Sequence, residues 1–219
     1  MSEWWTYSLE DVLMFRPRVY WRMFELQNEA LWPLQIPALL LGAAILVLVL
    51  RPAPWSDRAI GIALGVVWIW VAWSFLWDRY AAINWTVAYV APAFALQGIG
   101  LLWAGARGVR VPAFAGSSAT MIALGLYLYA LVLHPLVAVV AGRPVQAAEV
   151  FGVAPDPTAI ATLGLVAMAQ GRTAWLLLVI PVAWCLVSAV TLYAMGSPQA
   201  LIPLAAAGLA VAARGSSDR

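Results

Sequence analysis

The side chains in this chain that can do acid–base, ion-binding or hydrogen-bonding work fall in three short runs. Asn28 and Glu29 form the first, Asp78, Arg79 and Asn84 the second, and His134, Glu149, Asp156 and Thr158 the third. Carboxylates beside an imidazole, a guanidinium and an amide suit proton transfer or the recognition of a small polar solute. A metal centre is a poor fit, because His134, Glu149 and Asp156 stand 15 and 7 residues apart, a spacing that no metal motif uses. Acid–base catalysis by Glu29 or Asp156 with His134 lacks any accompanying nucleophile–base spacing or HExxH motif, so an enzyme is the weakest of the readings. No motif names a cofactor.

What must position these groups is set by composition. Hydrophobic residues make up 64% of the 219 and charged residues 10%, against about 45–50% and 25% in soluble domains. The charges leave apolar stretches at 33–50, 59–77, 80–106, 111–142 and 173–213. A hydrocarbon layer about 30 Å thick needs roughly 20 apolar helical residues. The fold class expected is therefore an all-α, polytopic transmembrane bundle of seven spans, or six, plus an N-terminal amphipathic interfacial helix. Its parts are an interfacial segment at 1–32, the bundle at 33–213 and a short polar tail at 214–219. All 12 cations are arginine, so a retinal Schiff base, which needs a lysine amine, is excluded. They are scattered rather than gathered in a stripe, which leaves no nucleic-acid footprint. Cys185 stands alone in an apolar stretch and reads as a small core residue. The N-terminus lacks the layout of a cleaved signal peptide, so targeting is expected to rest on the first span.

Residues 8–30 read as amphipathic helix broken at Pro17, with Ser8 and Asp11 in capping-box relation. After the break Val19, Tyr20, Met23, Phe24 and Leu31 share one face, while Arg18, Arg22, Glu25 and Glu29 take another. Such a helix either lies flat on a membrane or caps the bundle. Spans follow at 32–51, 59–77, 83–104, 114–133, 174–195 and 199–213, with a short, weaker element at 158–170 that falls short of a crossing unless its helix begins earlier or the segment is re-entrant. Gly61 and Gly65 have the spacing that lets a neighbouring helix approach closely. Trp68, Trp70, Trp73 and Trp77 are expected at the interface belt.

Arginine placement orients the bundle. Arg51, Arg58, Arg107, Arg110, Arg172, Arg214 and Arg219 fall on one set of loops and the C-terminus, which the positive-inside rule makes cytoplasmic. The three polar runs then meet on the opposite face, as a vestibule. The bland alternative makes Asp78 and Arg79 solvated, has Asn84 bond local backbone, and leaves His134 in the headgroup layer. In Pro155-Asp156-Pro157-Thr158, Asp156 is expected to cap a rigid helix start, with Pro157 in the first turn.

Several strings together resemble a bacterial integral-membrane family of unknown function whose members are sometimes labelled permeases. They are Asn28-Glu29-Ala30-Leu31-Trp32-Pro33, Tyr80-Ala81-Ala82-Ile83-Asn84-Trp85, the run from Phe151 to Thr158 followed by Thr162 and Gly164, and Ile180-Pro181 with Trp184. The resemblance covers nearly the whole chain and implies a helical membrane protein without naming a substrate. Many members carry cysteine in the proline-rich string where this chain has Asp156, which weakens any thiol or metal role there.

The expectation for function is a small-solute, permease-like protein of the bacterial inner membrane, its candidate binding residues being Asn28, Glu29, Asp78, Arg79, Asn84, His134, Asp156 and Thr158. The alternative is an accessory or scaffold subunit of a larger membrane complex. Expected partners are membrane lipids, a second copy of the chain, or subunits of such a complex.

Overall fold

The computed structural model describes residues 13–108, 116–169 and 171–217, and every regular element among them is helical. The expected Ser8–Asp11 capping pair, and the start of the fourth expected span at Phe114, lie outside those residues. Helix α1 spans Pro17–Leu31, with Pro17 in the first turn, where its missing N–H has no partner to lose. It meets α2, Gln35–Leu50, at 91°. The helix α3 covers Ser56–Tyr80, α4 Trp85–Ala106 and α5 Ser118–Val140. Then come α6, Pro155–Met168, α7, Arg172–Ala194, and α8, Leu201–Ser217.

By length and apolarity, α3, α4, α5 and α7 can each cross a bilayer, and the bent α1–α2 pair raises the number to five. Among the described residues, seven is not reached on that criterion. Helix α6 has 14 residues and α2 has 16, and a 14-residue helix is only about 21 Å long. Helix α8 runs on to Ser217 and so carries Arg214, expected in a polar tail, into the packed bundle, where its Nη2 donates to Gly171 O at 3.0 Å.

Three local departures follow from sequence. Helix α5 widens into a π turn at Tyr129–Leu133 and tightens at His134–Leu136, because Pro135 offers no N–H and crowds the preceding turn. The helix therefore continues past His134 instead of ending before it. The end of α3 is likewise a π turn, Ala72–Tyr80. Before α6, the chain enters through Gly152, whose φ of +76° is a left-handed conformation that glycine adopts without a Cβ penalty.

Helix α6 is the hub. From Ala147 to Ala169 every residue is buried, so the element expected to be marginal or re-entrant is a core helix, enclosed by α3, α5, α7 and α8. Small residues make this enclosure close: a Cβ on Gly164 would lie 2.5 Å from Ala123 O on α5. Trp68, expected in the interface belt with its neighbours, is fully buried, donates through Nε1 to Thr162 Oγ1 at 2.8 Å and packs on Phe94. Trp73 and Trp77 stay exposed.

The tightest pairing is α3 with α4. A Cβ on Gly61 would sit 2.6 Å from Gly105 Cα, and one on Gly65 would sit 2.7 Å from Gly98 O. Both obstacles are backbone and cannot swing aside, so the helices would have to part. Gly61→Val should lower the thermal unfolding midpoint in detergent, with an overpacking cost of about 1–3 kcal/mol. Gly208→Val, where nothing lies within 4 Å, should leave the midpoint unchanged.

Candidate functional site

Contacts between elements define two ends of the bundle. At one, Arg58 O lies against Gly105, and Arg214 reaches Gly171. At the other, Asn28 Nδ2 donates to Gln146 O and Ala148 O, both at 2.7 Å, and Arg143 Nη2 donates to Gln199 Oε1 at 2.8 Å. Arg79 Nε donates at that same end to Gln27 Oε1 at 3.1 Å, and Gln27 Nε2 donates to Ser74 O at 3.2 Å. All three polar runs lie at this second end, but α1 divides them.

Above α1, on the outside, lie Asp78 and Arg79. Asp78 is exposed, and both residues line a groove of about 750 Å³ with Arg18, Arg22 and Glu25. Glu29 is half exposed and lies 3.6 Å from Arg22 Nη1. Asn84 caps the first turn of α4, its Oδ1 accepting from Thr86 N and Thr86 Oγ1. Asn28 spends its amide on stitching α1 to the 146–148 loop. These residues hold the surface of the bundle together, and they do not converge on one point.

Beneath α1 the third run is internal. Asp156, His134 and Glu149 are only 4%, 5% and 7% exposed, so all three side chains lie in the protein interior. Asp156 does not cap α6. The helix begins one residue earlier, at Pro155, and its flanking residue Ala154 provides no side-chain cap. Instead, Asp156 Oδ1 accepts from Trp184 Nε1 at 2.7 Å and Oδ2 accepts from Ser188 Oγ at 2.5 Å. Trp184 and Ser188 are four apart and therefore share a face of α7. Neither was singled out as a site residue by sequence reasoning. The available signal was this pair of donors, aligned at helical spacing on an otherwise apolar helix.

Glu149 Oε2 lies 3.8 Å from His134 Nε2 and accepts no hydrogen bond, and His134 Nδ1 is also unpartnered. The Tyr129 ring stands edge-on to the imidazole, at 5.7 Å between centroids, and its buried hydroxyl lacks a partner. Asp156 is within electrostatic range of both Glu149 and His134. At the rim, the Arg143 guanidinium stacks 3.4 Å from the Trp21 ring centroid, leaving Nε and Nη1 without acceptors. Burial lowers the Arg143 pKa, and the charge of Glu149 pulls it back up. Tyr20 closes the top. Burial holds its phenol well above the ordinary value, and the nearby Tyr80, Asp156 and Glu149 push in the same direction.

Thr158 serves the backbone that carries this cluster. Its Oγ1 accepts from Gly152 N at 3.0 Å and donates to Ala154 O at 2.7 Å. Thr162 Oγ1 donates to Thr158 O, completing a ladder from Trp68 to Gly152. Among the described residues, no three of His, Cys, Asp and Glu come close enough to hold a metal ion.

A buried carboxylate with two neutral donors, beside a second carboxylate and an imidazole with open valences, can take up a proton and pass it on. The hold on Asp156 can be tested directly. Trp184→Phe keeps the ring but removes one of its two donors, and should lower the unfolding midpoint by the equivalent of about 1.5–3 kcal/mol. Trp77→Phe, on the exposed surface of α3, serves as the reference.

A family model described as a family of unknown function (DUF6064) matches residues 17–216, and the chain belongs to that family. No curated protein and no solved structure matches it.

Proposed function

We propose that the chain is a permease-like, multi-pass protein of the bacterial inner membrane, and that His134, Glu149 and Asp156 form an occluded proton acceptor on its non-cytoplasmic half. In this reading α2 to α8 cross the bilayer in alternation, α6 being shielded from lipid by its neighbours. The arginine-bearing loops and the C-terminus face the cytoplasm. The orientation is supported by Arg51, Arg58, Arg107, Arg172 and Arg214, which lie away from the acidic end.

The observation that carries this reading is the joint burial of Glu149 and Asp156 inside an apolar bundle. Two carboxylates in such a place cost several kcal/mol in desolvation unless charge or donors answer them. Asp156 has two donors, whereas Glu149 has none among the described residues. An arrangement that costs stability and leaves an acceptor open is what a transport site requires. Asp78 and Glu29, solvated outside α1, then act as an outer antechamber.

Proteoliposomes holding a pH-sensitive dye, challenged with monovalent cations and small amines, test this. Glu149→Gln and Asp156→Asn should each slow dye response by roughly tenfold or more, the equivalent of losing one charge-assisted contact. Arg51→Gln and Arg107→Gln should leave it unchanged. Equal rates in all four variants and in empty liposomes would overturn the proposal.

The accessory-subunit reading is favoured by one feature: Ile36, Leu40, Val47 and Leu50 of α2 all point away from the bundle. Co-purification of a stoichiometric second protein in mild detergent would favour it over the permease.

A further inference from the structure

We propose that Gln97 is a positioning residue for the Asp156 acceptor: it takes the backbone carbonyl that Pro181 leaves open on α7, and so holds the turn of α7 that carries Trp184 and Ser188 against Asp156. The inference deepens the reading above and rests on it for the role of Asp156 in proton uptake. In an α-helix each N–H is donated to the carbonyl four residues back, so Leu177 O is due a bond from position 181. Proline stands there, inside the helix, and has no N–H to give. Within an apolar bundle a carbonyl without a donor is costly, and an internal proline is tolerated in a membrane helix when neighbouring groups make good the missing bond. Here that group is Gln97 of α4, whose Nε2 donates to Leu177 O at 2.9 Å. Gln97 is only 2% exposed, so its amide is committed to the protein interior.

The place of this bond in α7 ties it to the acidic interior. Leu177, Pro181, Trp184 and Ser188 follow one another at helical spacing, which puts them on one stripe of α7, and all four are buried. The first two are the open carbonyl and the proline that opened it. The last two are the donors on Asp156 Oδ1 and Oδ2. Helix α4 meets the same stripe at a second point: Phe94, one turn before Gln97, stands edge-on to the Trp184 ring with centroids 5.0 Å apart, and also packs on Trp68 at 4.3 Å. Phe94 therefore backs the indole, while the Gln97 amide supplies a directional bond at the one turn where α7 lacks its own. A proline turn short of a backbone bond is where a helix bends. The direction in which α7 continues beyond that turn decides whether Trp184 Nε1 and Ser188 Oγ reach the carboxylate, and an apolar side chain at 97 would leave the carbonyl unanswered.

The test combines NMR of the full chain in detergent, its tryptophans labelled with nitrogen-15 and the Trp184 indole N–H assigned by its loss in Trp184→Phe, with the dye response of proteoliposomes. Gln97→Met keeps a side chain of similar reach and removes the donor. It is expected to speed solvent exchange of the Trp184 indole N–H roughly tenfold, the equivalent of one buried hydrogen bond, and to slow the dye response by a similar factor. Pro181→Ala returns an N–H to Leu177 O, so combining it with Gln97→Met should restore both readings to those of Pro181→Ala alone. A general loss of packing at 97 would not be repaired by removing a proline from another helix. Should Gln97→Met fail to fold, folding regained with Pro181→Ala supports the proposal and failure in both backgrounds overturns it. An unchanged indole exchange rate or an unchanged dye response in Gln97→Met, or losses that Pro181→Ala leaves in place, would also overturn it. Where the unsubstituted chain moves no protons, the transport reading falls by itself and the indole exchange alone decides this proposal.

Discussion

A carboxylate inside an apolar bundle must have its charge answered locally, and in this chain the answer is Trp184 and Ser188 on α7 reaching Asp156 on α6. That pair of bonds sets the register of the two helices. It also fixes the depth at which the α6 N-terminus sits, and with it the buried approach from Ala147 to Ala154. The Trp68–Thr162–Thr158–Gly152 ladder continues the constraint on the opposite face of α6, tying the same helix to α3. Helix α6 is thus held from two sides by side-chain hydrogen bonds made in a dry interior, where a polar group without a partner is costly.

Close packing makes that interior dry. Gly61 and Gly65 against Gly105 and Gly98 bring α3 and α4 into backbone contact, and Gly164 does the same for α6 and α5. Lipid tails are as apolar as leucine, so hydrophobicity alone does not draw helices together in a bilayer; small residues do, by permitting dispersion contacts along the backbone. Glu149 and His134 lie buried within the bundle. The two are consequently left to each other and to the aromatic ring of Tyr129.

The elements legible in sequence are those that charge spacing marks. An arginine stands just after α2, near each end of α3, just after α4 and at the start of α7. The Gly61–Gly65 pair was equally legible, because its spacing has one physical use. Gathering of the polar runs at one end followed from connectivity, but their separation by α1 did not. An amphipathic pattern gives the same periodicity whether its apolar face meets lipid or protein, and only Tyr20, Met23, Phe24 and Gln27 against the bundle decide it. The partners of Asp156 lie 28 and 32 residues away and carry no charge, so no local pattern joins them. Trp68 was misplaced for a similar reason. A tryptophan near others reads as interfacial until a buried acceptor, Thr162 Oγ1, is known to face it.

Helix α1 connects these observations into one arrangement. Its outer face carries Arg18, Arg22 and Glu25 toward the Asp78–Arg79 groove, and its inner face lays Tyr20 over the acidic interior. Tyr20 packs against Phe15, Phe24 and Tyr80, so the cover is held by ring contacts and not by ion pairs. The Gln27–Ser74 and Asn28–Gln146 hydrogen bonds lie near the C-terminal end of α1, so that end is held by polar contacts and the other by stacked and edge-on rings. The position of α1 over the interior is therefore set by packing at one end and by directional bonds at the other.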